Sequence, residues 1–352
     1  MNVQEQLLNE RIDPHLTDAA LTRLASEALD ADVQARRGRI LTGGCWNRVI
    51  SVRVAGAAVA SNAGAVDTER AATAPTERGA ANEGARELVF KISPRDHDAG
   101  LKREYAVLEY FAEHTRMPVP TPYLLAEEGD PIPGTALVMS KIPGAVLHSA
   151  YATLSPQDRQ RIDRQIADHV LDLHESTVDG FGRVELAPEE RYRRWSDFWL
   201  PRFDSAMAEA RESGHIEASF FHRVDAVRPR FEKWLSEVTT ATVCHYDIWS
   251  GNVMVARGAE GATVSGFIDI PGYAADYARE LSFMLMFGMA DEALLRAYAD
   301  RHGLDEGFAL RVNMYNLKMQ TKHITMYPSE YYYRQGAEAC LRYLEEKKNG
   351  NS

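Results

Sequence analysis

The chain has 352 residues, more than one ordinary domain requires, and this length predicts two lobes or one domain with a large extension. A hydrophobic content of 45% and a charged content of 26% are typical of a soluble globular protein. The formal net charge of −11 argues against a general nucleic-acid-binding protein, since a phosphate backbone requires clustered Lys and Arg. It favours a cationic small molecule as partner instead.

Three cysteines, Cys45, Cys244 and Cys340, are too few and too scattered for a disulfide framework or a Cys-x-x-Cys metal site. The first residues, MNVQEQLLNERIDPHL, lack the apolar core of a signal peptide. The most apolar stretch, residues 281–289, is too short to span a membrane. We therefore expect a cytoplasmic protein without a membrane association, as a monomer or homodimer.

The N-terminal part of the chain is predicted to be rich in strands. Strand-like runs at residues 48–54 and 87–92 flank a segment, 56–86, of mainly small and polar residues without periodicity. This composition cannot bury enough apolar surface to order itself, so we predict a flexible insertion. The simplest arrangement is an antiparallel hairpin with a lengthened turn, which costs little loop-closure entropy.

Helical periodicity follows at residues 99–113, where Leu101, Tyr105, Leu108 and either Phe111 or Ala112 share one face. A Pro-rich connector at 117–122, a strand at 136–139 and a capped helix at 155–174 come next. Further helices are predicted at 195–212, 218–237, 278–300 and 308–346, with a short β insert at 243–270. These elements predict an α+β fold with an antiparallel β-rich N-lobe (1–143) and a mainly helical C-lobe (144–352).

Three features of the N-lobe could serve a phosphate ligand. Gly43 and Gly44 would let backbone amides approach a phosphate, although a plain hairpin turn explains them equally well. Lys91 lies inside an apolar strand, where it either extends from a sheet edge or neutralises an anion in a cleft. Glu104 leans toward the buried face of the next helix and would need a cationic partner, for which Lys91 is the nearest strand candidate. The alternative for Glu104 is a surface pair with a neighbouring Lys or Arg.

The stretch HYDIWSGN, residues 245–252, contains an Asp and an Asn five positions apart. A carboxylate can act as general base toward a hydroxyl group, and an Asn carbonyl is a ligand that Mg²⁺ accepts. Asp247 and Asn252 have the spacing of a kinase catalytic loop, and Asp269 ends a short apolar strand seventeen residues later. Each residue alone is more typical of a turn or a strand end. Together and in this order they favour a kinase.

The order of these motifs and their residues resemble those of the aminoglycoside phosphotransferase, fructosamine kinase and choline kinase superfamily. The small-molecule kinases of this superfamily have a bilobal protein-kinase-like fold. The resemblance covers residues 41–285. It rests on LVMSKIPG (137–144), LDLH (171–174), HYDIWSGN (245–252) and IDIPGYAADYARELSFM (268–284). The ending Trp-Ser-Gly-Asn is especially similar to the fructosamine-kinase-like branch.

The resemblance implies a role for each matching position. The loop containing Gly43, Gly44, Asn47 and Arg48 would cover the phosphates of ATP or GTP. Lys91 would hold the α- and β-phosphates while Glu104 braces it. Ser140 to Ile142 would form the hinge that binds the purine. Asp247 would accept the proton of the substrate hydroxyl, and Asn252 and Asp269 would bind Mg²⁺. Asp276 and Glu280 match two acidic positions that are often structural.

Tyr246 departs from the family pattern, which has Gly at this position. A Gly adopts positive φ without steric cost, whereas Tyr does not. The Tyr side chain could stack against substrate, cover the base, or point outward from an ordinary backbone. The chain is therefore predicted to be a kinase with an otherwise complete site, and the alternative is a non-catalytic nucleotide-binding protein on the same scaffold.

The acceptor is predicted to be a small molecule with a hydroxyl group, such as an aminoglycoside, a related antibiotic or a sugar-like compound. A ketosamine is the alternative, motivated by Trp249-Ser250-Gly251. The acceptor pocket should lie between Asp247 and the C-terminal helices, beyond Lys322 and His323. Aromatic and acidic residues there suit a sugar or a polycation: Tyr327, Glu330, Tyr331, Tyr332 and Tyr333. We expect at least two of these four tyrosines to be interhelical core instead.

Overall fold

The computed structural model describes residues 12–41, 47–56, 85–93, 99–127 and 131–349. The chain divides into two compact units. Unit 1 comprises residues 1–113, 118–158 and 254–268, and unit 2 comprises residues 114–117, 159–253 and 269–352. Strands dominate unit 1 and helices dominate unit 2, which confirms the α+β class. The assignment of residues 1–143 to nucleotide and 144–352 to acceptor stays a prediction.

Twelve strands are described. They are β1 (Val33–Ile40), β2 (Arg48–Gly56), β3 (Ala85–Ser93), β4 (Pro122–Ala126), β5 (Thr135–Ser140), β6 (Ala145–Val146), β7 (Thr177–Val178), β8 (Gly182–Arg183), β9 (Ala241–Cys244), β10 (Val253–Gly258), β11 (Gly261–Phe267) and β12 (Tyr273–Ala275).

The α-helices of the described residues follow the same chain order. They are α1 (Asp18–Leu29), α2 (Ala99–His114), α3 (Leu147–Ala150), α4 (Pro156–Leu173), α5 (Trp195–Glu212), α6 (Ala218–Val227), α7 (Phe231–Leu235), α8 (Tyr277–Met286), α9 (Glu292–His302), α10 (Phe308–Met326) and α11 (Tyr331–Asn349).

The main sheet of unit 1 is antiparallel and has five strands in the order β1-β2-β3-β5-β4. Strands β2 and β3 pair from Arg48 with Ile92 to Ala55 with Ala85, which confirms the hairpin predicted around the insertion. Residues 57–84 of the predicted insertion 56–86 lie outside the described residues. Strands β1 and β4 and helix α1 were not predicted. The apolar face of α1 packs into the same core as the sheet, with Leu21 and Leu24 at most 1% exposed.

A second sheet of unit 1 has the order β11-β10-β6. Strands β10 and β11 form the hairpin that separates Asn252 from Asp269 in sequence. Gly144 precedes β6 with a φ of +94°, and a Cβ atom at this position would lie 2.0 Å from the carbonyl oxygen of Val255 on β10. Only glycine permits this close approach of two backbones.

Unit 2 contains a four-stranded sheet in the order β7-β9-β12-β8 and a large apolar core. Trp195, Phe198 and Trp199 on α5 are at most 1% exposed and belong to this core. Among the residues that the structure describes, no helix combines the length and apolarity needed to cross a lipid bilayer.

The single helix predicted at 278–300 is wrong, because α8 and α9 are separate helices. Gly288 has a φ of +66° and ends α8 in a Schellman motif. Its N–H donates to the Leu285 carbonyl over 3.2 Å, and the Met289 N–H donates to the Met284 carbonyl over 2.8 Å. Helix α9 then begins at a new cap, where the Asp291 side chain accepts from the Leu294 N–H.

The helices predicted at 218–237 and 308–346 are also interrupted, in both cases near a proline. Pro229 lies in a 3₁₀ turn between α6 and α7, and Pro328 lies between α10 and α11. A proline has no N–H and its ring clashes with the preceding helical turn, so continuous helices are excluded at these points.

We expect Gly144→Ala to lower the free energy of unfolding by about 3 kcal/mol, because it combines a positive φ with a backbone overlap. Gly288→Ala is the matched control, since Gly288 also has a positive φ but a Cβ there meets no atom within 4 Å. The control should cost about 1 kcal/mol. Urea denaturation of both variants measures the difference, and equal losses would contradict the close approach.

Candidate functional site

The loop that connects β9 to β10 brings Asp247 and Asn252 together. The Asn252 Nδ2 donates to Asp247 Oδ2 over 2.8 Å and to the Asp247 carbonyl over 3.0 Å. Asn252 is 5% exposed, so these bonds fix its amide in one orientation. Because the amide nitrogen is directed at Asp247, the amide oxygen is presented on the other side and can serve another partner.

Trp249 and Gly251 shape the middle of this loop. A Cβ atom on Gly251 would lie 2.2 Å from Cζ2 of the Trp249 indole, so the ring covers the glycine directly. The Asn252 N–H donates to the Trp249 carbonyl over 2.9 Å, which closes the turn that delivers Asn252 to Asp247. The Trp-Ser-Gly-Asn sequence is therefore explained by the packing of the loop on itself.

Asp247 has an unusual electrostatic environment. Burial raises the pKa of its carboxyl to about 7, while the charge of Arg279 and the hydrogen bond from Asn252 act in the opposite direction. The negative charges of Asp269 and Glu280 contribute to the rise. Asp269 itself is exposed and has a φ of +53°. Asp247, Asn252 and Asp269 thus belong to one neighbourhood of unit 2.

The backbone of Tyr246 has a φ of +82°, in the left-handed region that glycine adopts most easily. A non-glycine residue in this region costs about 1–3 kcal/mol and persists only where its surroundings enforce it. The Tyr246 N–H donates to Glu280 Oε1 over 2.8 Å, and the neighbouring His245 carbonyl accepts from the Gly272 N–H. Of the three alternatives for Tyr246, the one in which it points outward from an ordinary backbone is therefore excluded.

The side chain of Tyr246 packs inside unit 2. Its ring centroid lies 4.4 Å from the ring centroid of Tyr273. The Arg279 guanidinium carbon lies over the Tyr246 ring, 4.3 Å from its centroid. Burial raises the pKa of the Tyr246 hydroxyl to about 12, so the residue is neutral at physiological pH. The aromatic and cationic contacts together account for the position of the ring.

Glu280 is fully buried beneath this loop, with the His174 Nε2 3.6 Å from its second oxygen. Burial alone would raise the pKa of Glu280, but the adjacent His174 and His245 and the hydrogen bond from the Tyr246 N–H hold it below its usual value. Cys244 completes a group whose potential ligand atoms lie within 4.8 Å of one another. Burial raises the pKa of the Cys244 thiol, which opposes a thiolate–metal bond, so we interpret the group as a structural support.

Asp276, the other acidic residue after the loop, is structural as well. It caps α8 by accepting from the Ala278 N–H over 3.1 Å, and it accepts from the Arg311 Nε over 2.6 Å. The Tyr315 hydroxyl also donates to Asp276, and the Trp195 indole N–H donates to that hydroxyl over 2.7 Å. This buried network connects α8 to α5 and α10.

In unit 1, Lys91 and Glu104 form the pair that the sequence predicts. The Lys91 Nζ lies 2.8 Å from Glu104 Oε2 and 3.0 Å from Oε1. The two side chains are 11% and 15% exposed, so the pair is largely withdrawn from solvent. Lys91 lies in the middle of the sheet, opposite Val49 on one side and Leu137 on the other. The surface pairing considered for Glu104 is not its observed state.

The remaining predicted nucleotide residues have mixed surroundings. Gly43 and Gly44 lie outside the described residues. Asn47 is half-buried just before β2, and Arg48 is 7% exposed with its Nε 2.8 Å from Asp13 Oδ1. This ion pair accounts for the burial of Arg48.

The hinge residues Ser140 and Ile142 are half-buried at and just beyond the end of β5. The Ser140 backbone and side chain both bond to Thr121: the Ser140 N–H donates to the Thr121 carbonyl over 2.9 Å, and its Oγ accepts from the Thr121 N–H over 2.8 Å. These bonds hold the end of β5, where a hinge is predicted, in a defined position.

The C-terminal tyrosines divide into two groups. Tyr333 is 5% exposed and belongs to the core of unit 2. Tyr327, Tyr331 and Tyr332 are 51–67% exposed, so the expectation that at least two of the tyrosines are core is wrong. The interruption at Pro328 places Tyr331 and Tyr332 at the start of a new helix, whereas Tyr327 caps the end of α10.

Arg279 was not identified as a site residue from the sequence. It lies between Asp276 and Glu280 in the chain, and its guanidinium contacts the Tyr246 ring. Its positive charge also acts to lower the pKa of Asp247, against the larger rise that burial causes. Arg279 directly precedes Glu280 and lies one helical turn after Asp276, if the acidic pair is taken as part of a helix. That reading would have been the one available signal.

Two solved structures of small-molecule kinases, or candidates for such kinases, have the fold of this chain. A candidate fructosamine-3-kinase from Thermobifida fusca superimposes with a TM-score of 0.62 at 17% identity, over 94% of this chain and 99% of that one. A thermostable variant of the aminoglycoside phosphotransferase APH(4)-Ia, in complex with ADP and hygromycin B, gives 0.58 at 14% identity over 94% and 100%. The fold is therefore the bilobal protein-kinase-like fold of small-molecule kinases, as predicted.

The sequence pattern of the phosphotransferase enzyme family matches residues 77–311, more than half of the chain. The chain belongs to this family. It is 22% identical over 209 residues to a probable ketoamine kinase of Enterococcus faecium, covering 57% of this chain and 73% of that protein. It is 25% identical over 169 residues to IBR3, a probable acyl-CoA dehydrogenase of Arabidopsis thaliana. That match covers 47% of this chain and only 20% of the relative's length.

We expect Glu280→Ala to lower the free energy of unfolding by about 3–5 kcal/mol, because it removes the acceptor of the Tyr246 N–H and the buried partner of His174. Glu292→Ala is the matched control, since Glu292 is exposed and pairs with Arg296 on the surface. The control should change stability by less than about 0.5 kcal/mol. Chemical denaturation distinguishes them, and a small loss for Glu280→Ala would contradict its supporting role.

Proposed function

We propose that this protein transfers the γ-phosphoryl group of ATP or GTP to a hydroxyl group of a small molecule. The observation that carries the proposal is the hydrogen-bonded pair of Asp247 and Asn252 in a kinase-like catalytic loop. Membership of the phosphotransferase family and the ADP bound to a protein of the same fold support it. Phosphoryl transfer requires mainly positioning and charge neutralisation from a protein, and both are available here.

Asp247 is the general base of this proposal. A carboxyl group with a pKa of about 7 can accept a proton from a hydroxyl group and release it again near physiological pH. The Asn252 amide holds one carboxylate oxygen, which leaves the other free to receive the acceptor hydroxyl. The support beneath the loop, through Glu280 and the Tyr246 N–H, fixes the carboxylate in place.

Asn252 and Asp269 are the proposed ligands of Mg²⁺. An amide oxygen and an exposed carboxylate are the hard oxygen donors that this ion prefers, and the orientation of the Asn252 amide leaves its oxygen available. The donor set therefore fits the ion. A bound Mg²⁺ would neutralise charge on the nucleotide phosphates.

The nucleotide is proposed to bind through unit 1. Lys91, held by Glu104, supplies a positive charge for the phosphates, and Ser140 to Ile142 supply backbone groups for the purine. Gly43, Gly44, Asn47 and Arg48 are the proposed phosphate loop. The choice between ATP and GTP is part of the test below.

The acceptor is proposed to be sugar-like. A ketosamine is favoured by the probable ketoamine kinase and the candidate fructosamine-3-kinase among the similar proteins, and an aminoglycoside by the hygromycin complex of the same fold. Exposed Tyr327, Tyr331 and Tyr332 offer aromatic faces for a sugar. The buried free thiols Cys244 and Cys340 are compatible with the cytoplasmic location that we include in the proposal.

A panel of acceptors decides between these substrates. Purified protein with Mg²⁺ and ATP or GTP is incubated with aminoglycosides, macrolides, peptide antibiotics, ketosamines and choline, and phosphorylated product is measured by mass spectrometry. A ketosamine product would identify a repair enzyme, while an antibiotic product should accompany a raised inhibitory concentration in a sensitive host. Tight nucleotide binding without any product or Mg²⁺ dependence would favour the non-catalytic alternative.

We expect Asp247→Ala to reduce turnover by about 10²–10⁴-fold, because the acceptor hydroxyl loses its general base. Nucleotide affinity should change little, since the substitution removes no proposed nucleotide ligand. The control is Asp204→Ala, which removes an exposed carboxylate paired with Arg228 and should leave turnover unchanged. Normal turnover of Asp247→Ala would disprove the assignment.

We expect Lys91→Met to raise the KM for nucleotide by about tenfold or more, because a charge-assisted contact to phosphate is lost. Lys102→Met is the matched control, since Lys102 also pairs with a glutamate, Glu127, but on the exposed surface. Steady-state kinetics measures both, after thermal unfolding shows that each variant is folded. Identical KM values for the two variants would remove Lys91 from the nucleotide site.

A further inference from the structure

Four cationic side chains on three helices of unit 2 form what we call the cationic cluster: Arg202 on α5, Arg279 on α8, and Lys318 and Lys322 on α10. Within the described part of the chain, none of the four forms an ion pair with a carboxylate. Arg311, on the same helix as the two lysines, instead pairs with both Asp276 and Asp305. The cluster therefore differs from the structural cations of this unit.

Arg279 is the buried centre of the cluster. It is 5% exposed, its guanidinium lies over the Tyr246 ring, and its Nη2 is 3.6 Å from the Met319 sulfur. Its Nη1 is buried and has no hydrogen-bond partner among the described residues. A buried guanidinium without an anion is costly, and a thioether and an aromatic ring compensate only part of that cost. The unpartnered N–H groups point to a ligand that supplies the missing acceptor.

A continuous row of aromatic rings connects the two arginines. The Arg202 guanidinium lies 3.7 Å from the Phe198 ring centroid, Phe198 lies 5.6 Å from Tyr273, and Tyr273 lies 4.4 Å from Tyr246. Arg279 covers the other end of this row. Tyr246 immediately precedes Asp247 in the chain, and the charge of Arg279 acts on the Asp247 carboxyl, so an anion bound beside Arg279 would lie near the proposed base.

The electrostatics of Lys318 agree with this geometry. Burial lowers the pKa of Lys318 to about 7, and the positive charges of Arg279, Lys322 and Arg202 lower it further, while Glu209 acts in the opposite direction. Like charges one helical turn apart repel each other. Such an accumulation of unneutralised cations is typical of a functional site rather than of a stabilising one.

We propose that the acceptor molecule carries an anionic group, a carboxylate or a phosphate, which the cationic cluster binds while Asp247 faces the acceptor hydroxyl. This inference rests on the proposed phosphotransferase function and specifies its substrate class. It departs from the cationic partner that the net charge of −11 suggests, because local charges at a site, rather than the net charge, govern recognition there. Arg202 and Lys322 are exposed and form the entrance of the subsite, with Arg279 at its base.

Binding of three small hydroxyl compounds that differ in charge tests the proposal directly. Glycerate, glycerol and serinol are anionic, neutral and cationic, and glycerol 2-phosphate represents the phosphate source. Their dissociation constants for the full chain are measured by ligand-observed NMR, with and without saturating Mg²⁺-ADP. We expect an anion to bind at least about tenfold more tightly than glycerol and serinol, since hydrogen bonds to charged groups contribute this much. The ranking of glycerate against glycerol 2-phosphate identifies the source of the anion.

Two outcomes of this experiment would overturn the proposal. One is equal binding of the three compounds or a preference for serinol. The other is anion binding that disappears in saturating Mg²⁺-ADP, which would assign the cluster to the nucleotide phosphates. Anion binding that survives Mg²⁺-ADP supports an acceptor subsite.

Variants at the exposed rim locate the binding. Arg202→Gln and Lys322→Gln should each weaken anion binding by about tenfold and leave glycerol binding unchanged. Arg211→Gln is the matched control: Arg211 lies on the same helix as Arg202, also over an aromatic ring, but pairs with Asp225. Equal effects of Arg202→Gln and Arg211→Gln would contradict the assignment.

Proton uptake on anion binding distinguishes a Lys318 that contacts the anion from a Lys318 with a purely structural role, because only the first would take up a proton. At pH 8 Lys318 is mainly neutral, so a bound anion should raise its pKa and draw in a proton, whereas at pH 6 no uptake is expected. Besides Arg202, Arg279, Lys322 and Glu209, the titratable groups near these cations include His323, whose pKa is lowered by burial. They also include Tyr246, which contacts Arg279, and Asp247, on which the charge of Arg279 acts. Calorimetry in two buffers measures the uptake. Its persistence in Lys318→Met would place Lys318 outside the subsite.

The binding test is independent of turnover. A chain that binds glycerate through the cluster but phosphorylates no acceptor would contradict the proposed function and leave the anion subsite standing. A chain that phosphorylates neutral sugars and shows no preference for anions would support the proposed function and contradict the anion subsite. The two proposals can therefore fail separately.

Discussion

The hydrogen bond from the Tyr246 N–H to the buried carboxylate of Glu280 is the interaction on which the candidate site depends. It holds a bulky residue at a φ of +82°, a conformation that L side chains rarely adopt. Glu280 can stay ionised without contact with solvent because His174 and His245 lie beside it. A loop held in this way presents Asp247 and Asn252 to each other, so a buried acid that touches no reacting group determines the geometry of those that do.

The buried arginines of unit 2 differ in whether a carboxylate neutralises them. Arg311 is neutralised by Asp276 and Asp305 and joins helices. Arg279 is equally buried but contacts an aromatic ring and a sulfur atom. The first arrangement is complete within the chain, whereas the second lacks an anion. This contrast separates a structural arginine, on α10, from the arginine on α8 that we propose to bind a ligand.

Much of the fold could be predicted from sequence because the signals were local. The β2–β3 hairpin, the Lys91–Glu104 pair and the bounds of helix α5 were all predicted from periodicity and residue type. The helix bounds were wrong where the apolar periodicity continues past a residue that ends a helix. Gly288 and Pro328 are two such residues. Helix α1 was not predicted, although its sequence carries helix signals: Thr17 caps its start by accepting from the Ala20 N–H, and Leu21 and Leu24 share its buried face.

The sequence by itself determined the family resemblance, the α+β class and the identity of Asp247, Asn252, Lys91 and Glu104 as candidate residues, because spacing and residue chemistry are written in the chain. Only the tertiary structure decided how Tyr246 is accommodated, since its backbone conformation depends on Glu280, which lies 34 residues later. The cationic cluster was likewise invisible in sequence. Its members come from three helices, and a charge has no known partner until folding shows which groups surround it.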